Sequence, residues 1–574
     1  MGKGRIQLIA ALCCGAAFAV ARGASAAGAF PLRVGTAWQD DTVYVADGRD
    51  IEVRLADTLA VDDDRYKLKG FTNVLSTAFF LKGRKNVTLD FAGATLTLHG
   101  KIQPFLLDRC ENVTVKNVTV RYDRCGYTQG EVVSIDRRVI RLRVDRGKFP
   151  YRIEHEALIF HAATWTGGRI DREPCFTQFF DGATRRGKAM PLAFFAPDPY
   201  VDPSIPWAAK AFRFTAAEKD GVLELTSAAD MWIADVVRSG DVMVIAHEPR
   251  TFSSCLMREC RNVGIVNYRI LNGTGMGIFP FHCENILIDG FKVFCDERSP
   301  SIIGNSADAI HAFSCSGDFT VRNSVVEGTI DDALNVHGNF YQVKSVRGNV
   351  IVADTGSQPF ADTAVFLPGD RIRVCRGHTL ETAGEYRIVS LRKAERKAVE
   401  MTLDRPVGDH APNDAIENMS AQCRLTISNC RFGKANSHLR LQTRGGILVE
   451  NCESELPLRM TGDMTYWFES SPCERAVFRN VVFRTDRGRI RATPEFEATE
   501  AAPYYHGDIV VESCSFESET AIDLHRTRSL TVCGCRQSAG LPLKAILTDC
   551  GTADSPGWTV LRKSSNPVLR NNGK

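Results

Sequence analysis

The chain has 574 residues, of which 44% are hydrophobic and 24% are charged. This is the composition of a globular protein with a large core, and it excludes a disordered or multispanning membrane chain. The 71 basic and 68 acidic residues leave a formal net charge of +3. Such a balance lacks the concentrated positive charge that nucleic-acid phosphates attract, so we expect no nucleic-acid partner.

Residues 1–26 differ in character from the rest of the chain. Lys3 and Arg5 precede an apolar run that ends at Val20, and small residues follow up to Ala26. A basic start, a short apolar stretch and a small-residue cleavage site are typical of a secretory signal peptide. The run is too short to span a bilayer comfortably. We expect cleavage near Ala26, export to the periplasm or the cell exterior, and no stable membrane insertion of the mature chain.

A short sequence template recurs along the chain after the leader. It alternates apolar and polar residues, inserts an Asn, Gly or Ser, and then resumes the alternation; the clearest copies start at Cys110, Cys260 and Cys283. Alternation with period 2 indicates strands, and the Asn indicates a left-handed bend between them. Such a unit, repeated about every 20 to 30 residues without a Leu-x-x-Leu-x-Leu frame, predicts a right-handed parallel β-helix.

Two stretches interrupt the repeat. Residues 127–250 and 344–420 lose the template but keep alternating strands, for example at 139–144 and 398–403. We interpret both as inserted antiparallel β-barrels in an all-β chain. The predicted parts are a signal peptide at 1–26, an N-terminal β-helix at 27–126, a first barrel at 127–250, a central β-helix with the candidate site at 251–343, a second barrel at 344–420 and a C-terminal β-helix at 421–574.

The 19 cysteines do not require a disulfide framework. Cys430, Cys452, Cys514 and Cys535 share one inward position of the template, where thiols can pack against one another without bonding. The chain has no pair of closely spaced Cys-x-x-Cys motifs, so a zinc site is not expected. We predict neither a metal nor a cofactor.

Polar columns are predicted on one strand of the central coils. Ile310 and Leu334 point inward, so residues one position away point outward and stack on successive coils. The two columns contain Phe279, His311, Asn335, Arg440 and Asp523, and Phe281, Phe313, His337, Gln442 and His525. Solvated faces favour Lys, Glu and Thr, and we therefore interpret the columns as a site rather than as ordinary surface. The predicted substrate-binding residues are His311, Asn335, His337, Arg440, Gln442 and Phe279.

Three aspartates lie at the start of the same strands. Asp308 aligns with Asp332 on the next coil, about 5 Å away at the backbone, and Asp331 adjoins Asp332. Neighbouring carboxylates repel, which raises the pKa of at least one, and a proton donor beside an ionised base suits hydrolysis of a glycosidic bond. Calcium binding is the competing use of clustered aspartates. It is disfavoured because His311 and Asn335 surround the cluster and no Asp-x-Asp-x-Asp loop is present.

The blocks Ala307-Asp-Ala-Ile-His311 and Asp331-Asp-Ala-Leu-Asn-Val-His-Gly338, on a β-helix with two inserted barrels, resemble glycoside hydrolase family 110, the inverting α-1,3-galactosidases. The resemblance implies an exo-acting enzyme that removes terminal α-1,3-linked galactose from blood group B or linear α-galactosyl glycans. It places Asp308, Asp331 and Asp332 in the active site. By analogy with three-aspartate β-helix hydrolases, we expect Asp332 to be the acid and Asp308 with Asp331 to activate water.

Two alternative functions remain open at this point. A polygalacturonase-like hydrolase of acidic or other polysaccharides would share the coils and a similar set of aspartates. A surface adhesin would use the same solenoid without catalysis. Two insertions that close the ends of a groove favour an enzyme that admits only a chain terminus.

Overall fold

A computed structural model describes residues 30–63, 65–66, 74–160, 175–195, 210–247, 252–295, 301–355, 366–395, 398–435, 438–462, 468–485, 487–494, 496–497 and 499–564. The predicted signal peptide at 1–26 lies outside these residues. Within them the regular structure is β-strand, apart from the short 3-10 helices Leu55–Asp57 and Trp232–Asp235. No helix in this part of the chain is long and apolar enough to cross a membrane.

Most of the chain winds into stacked coils whose strands pair in parallel. The first stack contains Phe30–Pro31, Thr42–Val45, Lys85–Asp90, Glu111–Tyr122, Arg261–Ile270, Glu284–Asp289, Ser316–Arg322, Cys423–Ser428, Ile447–Glu450, Arg475–Arg479, His506–Glu512, Thr527–Cys533 and Thr552–Asp554. The second contains Ile51–Arg54, Thr95–His99, the ends of Glu111–Tyr122 and Arg261–Ile270, Lys292–Val293, Val325–Glu327, Arg431–Gly433, Glu453–Ser454, Val482–Phe483, Ser515–Phe516 and Arg536–Gln537. Each coil thus passes from one stack to the next.

The third stack, called here the site sheet, carries the predicted polar columns. It contains Leu75–Lys82, Gln103–Asp108, Cys255–Arg258, Ile278–Phe281, His311–Phe313, the start of Leu334–Arg347, Leu439–Gln442, Leu458–Met460, Ile490–Ala492, Thr520–His525, Lys544–Thr548 and Thr559–Lys563. Leu59–Val61 pairs antiparallel with its first strand. Three parallel stacks that enclose one apolar interior confirm the predicted parallel β-helix.

Asparagines form bends at the start of the first stack and between the first and second stacks. Asn112, Asn117, Asn262 and Asn267 all have positive φ angles, between 50° and 58°. Asparagine tolerates this left-handed conformation better than most residues because its side chain can hydrogen-bond locally. The amides also bond from coil to coil, as between Asn262 and Asn112 at 2.9 Å. The bend residue of the template therefore shapes each coil and links it to its neighbour.

The two insertions are closed barrels, which confirms that prediction. The first closes through Tyr127–Ile135, Val139–Arg143, Val222–Ser227, Phe212–Lys219, Leu192–Phe194, Cys175–Phe180 and Val242–Ala246, with Gly187–Ala189 at its side and a separate hairpin, Tyr151–Glu154 with Ala157–Phe160. The second closes through the end of Leu334–Arg347, Val350–Asp354, Ala398–Leu403, Thr382–Glu395, Arg371–Cys375 and Ala415–Asn418. One pair in the first barrel, Leu192–Phe194 with Phe212–Lys219, is parallel rather than antiparallel.

Interior positions of neighbouring coils stack on one another, and the cysteines follow this rule. Cys430, Cys452 and Cys514 are buried, Cys535 is partly buried, and every described cysteine has a free thiol. Ile265 is fully buried and lies between Val115 and Ile288 of the adjacent coils. Because each interior side chain packs against the coils on both sides, its loss should affect two contacts of the stack.

We expect Ile265→Ala to destabilise the protein by about 2 to 5 kcal/mol because it removes a buried side chain that adjacent coils cannot easily replace. Val266→Ala, on the outward face of the same strand, should cost much less. Thermal unfolding followed by circular dichroism compares the two variants. Equal losses would contradict the inward and outward assignment of this strand.

Candidate active site

The predicted columns come together on the outer face of the site sheet. His311 lies in register with Asn335, and Asn335 with Arg440. In the neighbouring column, His337 lies in register with Gln442. These five side chains therefore occupy adjacent coils, spaced by about 4.8 Å, as the sequence alignment predicts.

The first column continues beyond Arg440 in a way that the sequence analysis missed. Arg459 and Arg491 follow Arg440, and Asp523 lies in register with Arg491 on the next coil. The coils that carry the two arginines match the template weakly, which hid them. Asp523 consequently lies several coils away from the central group and makes its own ion pair with His525.

The three aspartates lie on two adjacent coils where the chain enters the site sheet. The N–H of Ala309, next to Asp308, donates to the carbonyl oxygen of Asp332 at 3.1 Å, which fixes the relation between the coils. The Asn305 amide donates to the Asp308 carbonyl oxygen at 2.9 Å and holds this bend. Asp308 and Asp332 are buried, whereas Asp331 is partly exposed. Asp331 is thus the most accessible carboxyl of the three.

Each buried aspartate contacts a different basic side chain. Asp308 Oδ2 lies 2.6 Å from His311 Nδ1. Asp332 Oδ2 lies 2.9 Å from Arg440 Nε and forms an ion pair with it. The backbone N–H of His438 also donates to Asp332 Oδ1 at 3.2 Å. His438 was not predicted as a site residue, although it directly precedes the inward Leu439.

Burial and neighbouring charge tune the ionisation of the pair formed by Asp308 and His311. Burial, followed by the charge of Asp331, raises the pKa of Asp308 to about 6. Burial alone would lower the pKa of His311, but the hydrogen bond and charge of Asp308 outweigh it and raise that pKa above its usual value. Asp308 therefore titrates closer to neutral pH, where an acid or base is most effective, than an ordinary aspartate does.

Glu469 is a further member of the cluster that the sequence analysis missed. Its carboxylate accepts hydrogen bonds from Arg440 Nη1 at 3.0 Å, Gln442 Nε2 at 3.3 Å and Asn335 Nδ2 at 3.4 Å. Burial would raise its pKa, but His337, which is charged only at low pH, and Arg440 hold the pKa of Glu469 below its usual value. The residue comes from Glu469–Ser470, a strand that pairs antiparallel with Gly338 and Asn339 and breaks the repeat. No periodic signal points to it.

Phe279 does not present a ring to a substrate, which corrects the sequence prediction. It is 1% exposed and packs edge-on against His311 at 5.0 Å between ring centroids. Its apolar cluster includes Tyr341 and Phe366 of the second barrel. The barrel core covers this part of the site sheet because the outward phenylalanines offer it an apolar face. Phe279 accordingly supports His311 from behind.

The site gathers four carboxyl groups around two basic partners. Four carboxyls, from Asp308, Asp331, Asp332 and Glu469, surround the guanidinium of Arg440 and the imidazole of His311. Within the described ranges, no group of three or more His, Cys, Asp or Glu residues has the arrangement to hold a metal ion. The chemistry available to these side chains is proton transfer between coupled carboxyls and their basic partners.

No family model matches the chain, but several known proteins do. Alpha-1,3-galactosidase B of Bacteroides thetaiotaomicron is 23% identical over 481 residues, which cover 80% of this chain and 74% of that protein. Alpha-1,3-galactosidase B of Phocaeicola vulgatus is 26% identical, with 78% and 77% covered. Alpha-1,3-galactosidase A of Shewanella woodyi is 23% identical, with 83% and 77% covered. These relatives confirm the family resemblance predicted from the sequence.

Solved structures give a weaker comparison. A family 28 exopolygalacturonase of Yersinia enterocolitica matches with a TM-score of 0.28 and 11% identity over 90% of this chain and 78% of that chain. The tailspike gp61 of Pseudomonas phage phi297 matches with a TM-score of 0.19 and 11% identity over 88% and 76%. Scores of this size do not indicate a common superposition of whole chains.

We expect Asp308→Asn and Asp332→Asn to change stability in opposite directions. The pKa of Asp308 in the folded state, about 6, lies above its ordinary value of 3.8. Its ionisation therefore costs stability as the pH rises through this window. Asp308→Asn should be stabilising above pH 6, by less than about 3 kcal/mol because the pairing that raises the pKa of His311 is also lost, and should bring no gain below pH 3.8. Asp332→Asn instead breaks a buried ion pair and should cost about 3 kcal/mol at neutral pH.

Thermal unfolding of both variants between pH 4 and pH 8 measures the two effects. The identical chemical change makes each variant the control of the other. Destabilisation by Asp308→Asn at pH 8 would contradict the ionisation cost assigned to that residue.

Proposed function

We propose that this chain, a relative of the α-1,3-galactosidases, is an exo-acting glycoside hydrolase that releases terminal α-1,3-linked galactose from glycans with inversion of configuration. The observation that carries the proposal is the group of three carboxyls on adjacent coils, two of them held by Arg440 and His311. The names of the relatives supply the sugar and the linkage. The signal peptide predicted at 1–26 supports action in the periplasm or outside the cell.

The same group of carboxyls argues against a purely adhesive role. Buried carboxyls cost stability, and a raised pKa is a measure of that cost. Asp308 carries such a cost, with its pKa at about 6. Sugar binding alone does not require a carboxyl whose pKa is raised. Proteins retain destabilising charges of this kind where chemistry uses them.

The charge of the site favours a neutral sugar over a uronic acid. Arg440, the guanidinium beside the aspartates, is already engaged by Asp332 and Glu469. With four carboxyls around it, the site would repel the carboxylate of a galacturonate residue. Terminal galactose carries no charge and meets no such repulsion. This distinction separates the proposed activity from the polygalacturonase-like alternative.

The ion pairs also change the division of roles among the aspartates. Arg440 favours the ionised form of Asp332, which suits a base and opposes the role of acid expected from the sequence. Asp308, paired with His311, is the second candidate for activating water. Asp331 is the most exposed of the three and is the carboxyl that a leaving oxygen could reach. We therefore assign proton donation to Asp331.

In this scheme one proton enters the leaving group and one leaves water. Asp331 transfers its proton to the glycosidic oxygen as the bond from that oxygen to the anomeric carbon breaks. Water, held by Asp308 and Asp332, forms the new bond on the opposite face and gives up a proton to this pair. An inverting enzyme separates its acid from its base by roughly 6.5 to 9.5 Å to leave room for that water.

Incubation with an α-1,3-linked galactosyl disaccharide should release galactose, and a longer glycan should give galactose from the first minutes without intermediate oligosaccharides. Proton NMR of the first product should show β-galactose, because inversion of an α-linkage gives the β-anomer. Polygalacturonate serves as the comparison substrate. Initial α-galactose would exclude inversion, and early oligosaccharides would favour an endo-acting enzyme.

Asp331→Asn should lower kcat on the disaccharide by at least about 100-fold. An aryl α-galactoside with a strongly acidic phenol should recover much of this loss, because its leaving group needs no proton donor. Asp332→Asn should be impaired on both substrates, since water activation remains necessary. Asp523→Asn, several coils away, is the control and should retain full activity. Recovery of Asp332→Asn rather than Asp331→Asn would reverse the assigned roles.

A further inference from the structure

A chain of three hydrogen-bond contacts runs inward from Asp308. Asp308 Oδ2 lies 2.6 Å from His311 Nδ1, and His311 Nε2 lies 3.1 Å from His337 Nε2. His337 Nδ1 lies 2.6 Å from the carbonyl oxygen of Gly338. His337 is 4% exposed, and its side chain is almost completely enclosed. Because solvent has little access to this ring, its hydrogen-bond partners determine which of its nitrogens carry hydrogen.

The contacts determine the protonation of each ring from the inner end outward. A carbonyl oxygen only accepts hydrogen bonds, so His337 Nδ1 must carry a hydrogen. Burial lowers the pKa of His337 to about 4, so this ring is neutral and its Nε2 has only a lone pair. His311 Nε2 must then donate to it. At the other nitrogen, the Asp308 carboxylate also offers only lone pairs, so His311 Nδ1 must donate as well.

We propose that His311 is held as an imidazolium because it lies between two acceptors, Asp308 and His337, and that it serves as the counter-charge of Asp308 in the active enzyme. His337 is the positioning residue: it never contacts the carboxylate, but its lone pair removes the option of a neutral His311. Without that acceptor, His311 could satisfy Asp308 with a single Nδ1–H and remain uncharged.

The surroundings favour the charged ring and fix its orientation. Asp332 and Glu469 add negative charge around His311. The charge of Asp331 raises the pKa of the Asp308 carboxyl. Arg440 is a cation in the same cluster. Its charge lowers the pKa of His337, but Asp332 and Glu469 form ion pairs with it. Two aromatic rings hold the imidazoles in place. Phe279 packs edge-on against His311, and Phe313 contacts His337 at 4.7 Å between centroids and a 90° angle.

The catalytic consequence rests on the proposed hydrolase function. An adjacent imidazolium keeps Asp308 ionised in spite of its burial, with one oxygen bound to His311 and the other available to water. Activity should rise as Asp308 loses its proton, around pH 6, and should fall when His311 loses its proton above 6.5, the ordinary value for histidine. Arg440 does not titrate in this range, so it contributes neither to the rise of activity with pH nor to its fall.

The charge state of His311 is measurable by NMR of the full chain labelled with ¹⁵N-histidine, independently of any substrate. His311→Gln identifies the resonances. At pH 7 the wild-type His311 nitrogens should both show imidazolium shifts. In His337→Phe the titration midpoint of His311 should fall by about one pH unit or more, which lowers the imidazolium fraction of this ring at pH 7. His337→Gln should restore the imidazolium, because the glutamine carbonyl can accept from His311 Nε2.

A neutral His311 in the wild-type protein at pH 7, with the proton on Asp308 instead, would overturn the proposal. Unchanged His311 shifts in His337→Phe would overturn the role of His337. Circular dichroism and thermal unfolding establish that each variant is folded; His337→Leu replaces His337→Phe if the larger ring does not fit. The wild-type titration decides the charge state whether or not either variant folds.

The pH profile of kcat provides the second readout. In His337→Phe the alkaline limb should move to lower pH by the same amount as the NMR midpoint, and His337→Gln should move it back. A merely structural role for His337 would lower the rate at every pH and leave the limb in place. If the wild-type protein released no galactose, the proposed function would fail while the NMR result for His311 still stood.

Discussion

The register of the stacked parallel coils decides which side chains of this protein meet. Adjacent strands lie about 4.8 Å apart, so residues at equivalent positions of successive coils are forced into contact whatever their charge. In the interior this produces continuous apolar packing. On the outer face of the site sheet it brings Asp308 next to Asp331 and Asp332, and His311 above Asn335. The site is therefore a direct product of the repeat, and its repulsions cannot relax by moving one residue.

Local partners resolve these repulsions by giving each carboxyl a different environment. Asp332 has a guanidinium, Asp308 has an imidazole, and Glu469 shares the guanidinium from the opposite side. The second barrel contributes by covering the phenylalanines beside His311, which lowers the local dielectric constant and strengthens each of these interactions. The insertion thus acts on the chemistry of the site as well as on its shape.

The sequence predicts those features that repeat along the chain. Asparagine at the bends, alternating strands and the alignment of His311 with Asn335 and Arg440 all follow from periodicity. Glu469 was missed because its strand runs antiparallel to the site sheet and lies outside the template. The burial of Phe279 was missed because it depends on how the second barrel packs, which no local pattern records.

The division of acid and base roles depends on contacts that periodicity does not show. Periodicity shows that three aspartates are close, but aspartates differ in ionisation only through their contacts. His311 lies on the same coil as Asp308, whereas Arg440 reaches Asp332 from another coil. Arg440 supplies a charge that cannot titrate near neutral pH, whereas His311 supplies one that can. The response of the site to pH is therefore confined to the side of Asp308 and His311. His337 then controls that response although it contacts neither Asp308 nor Asp332. Its one available lone pair accepts a hydrogen bond from His311 and thereby determines the charge of the His311 ring.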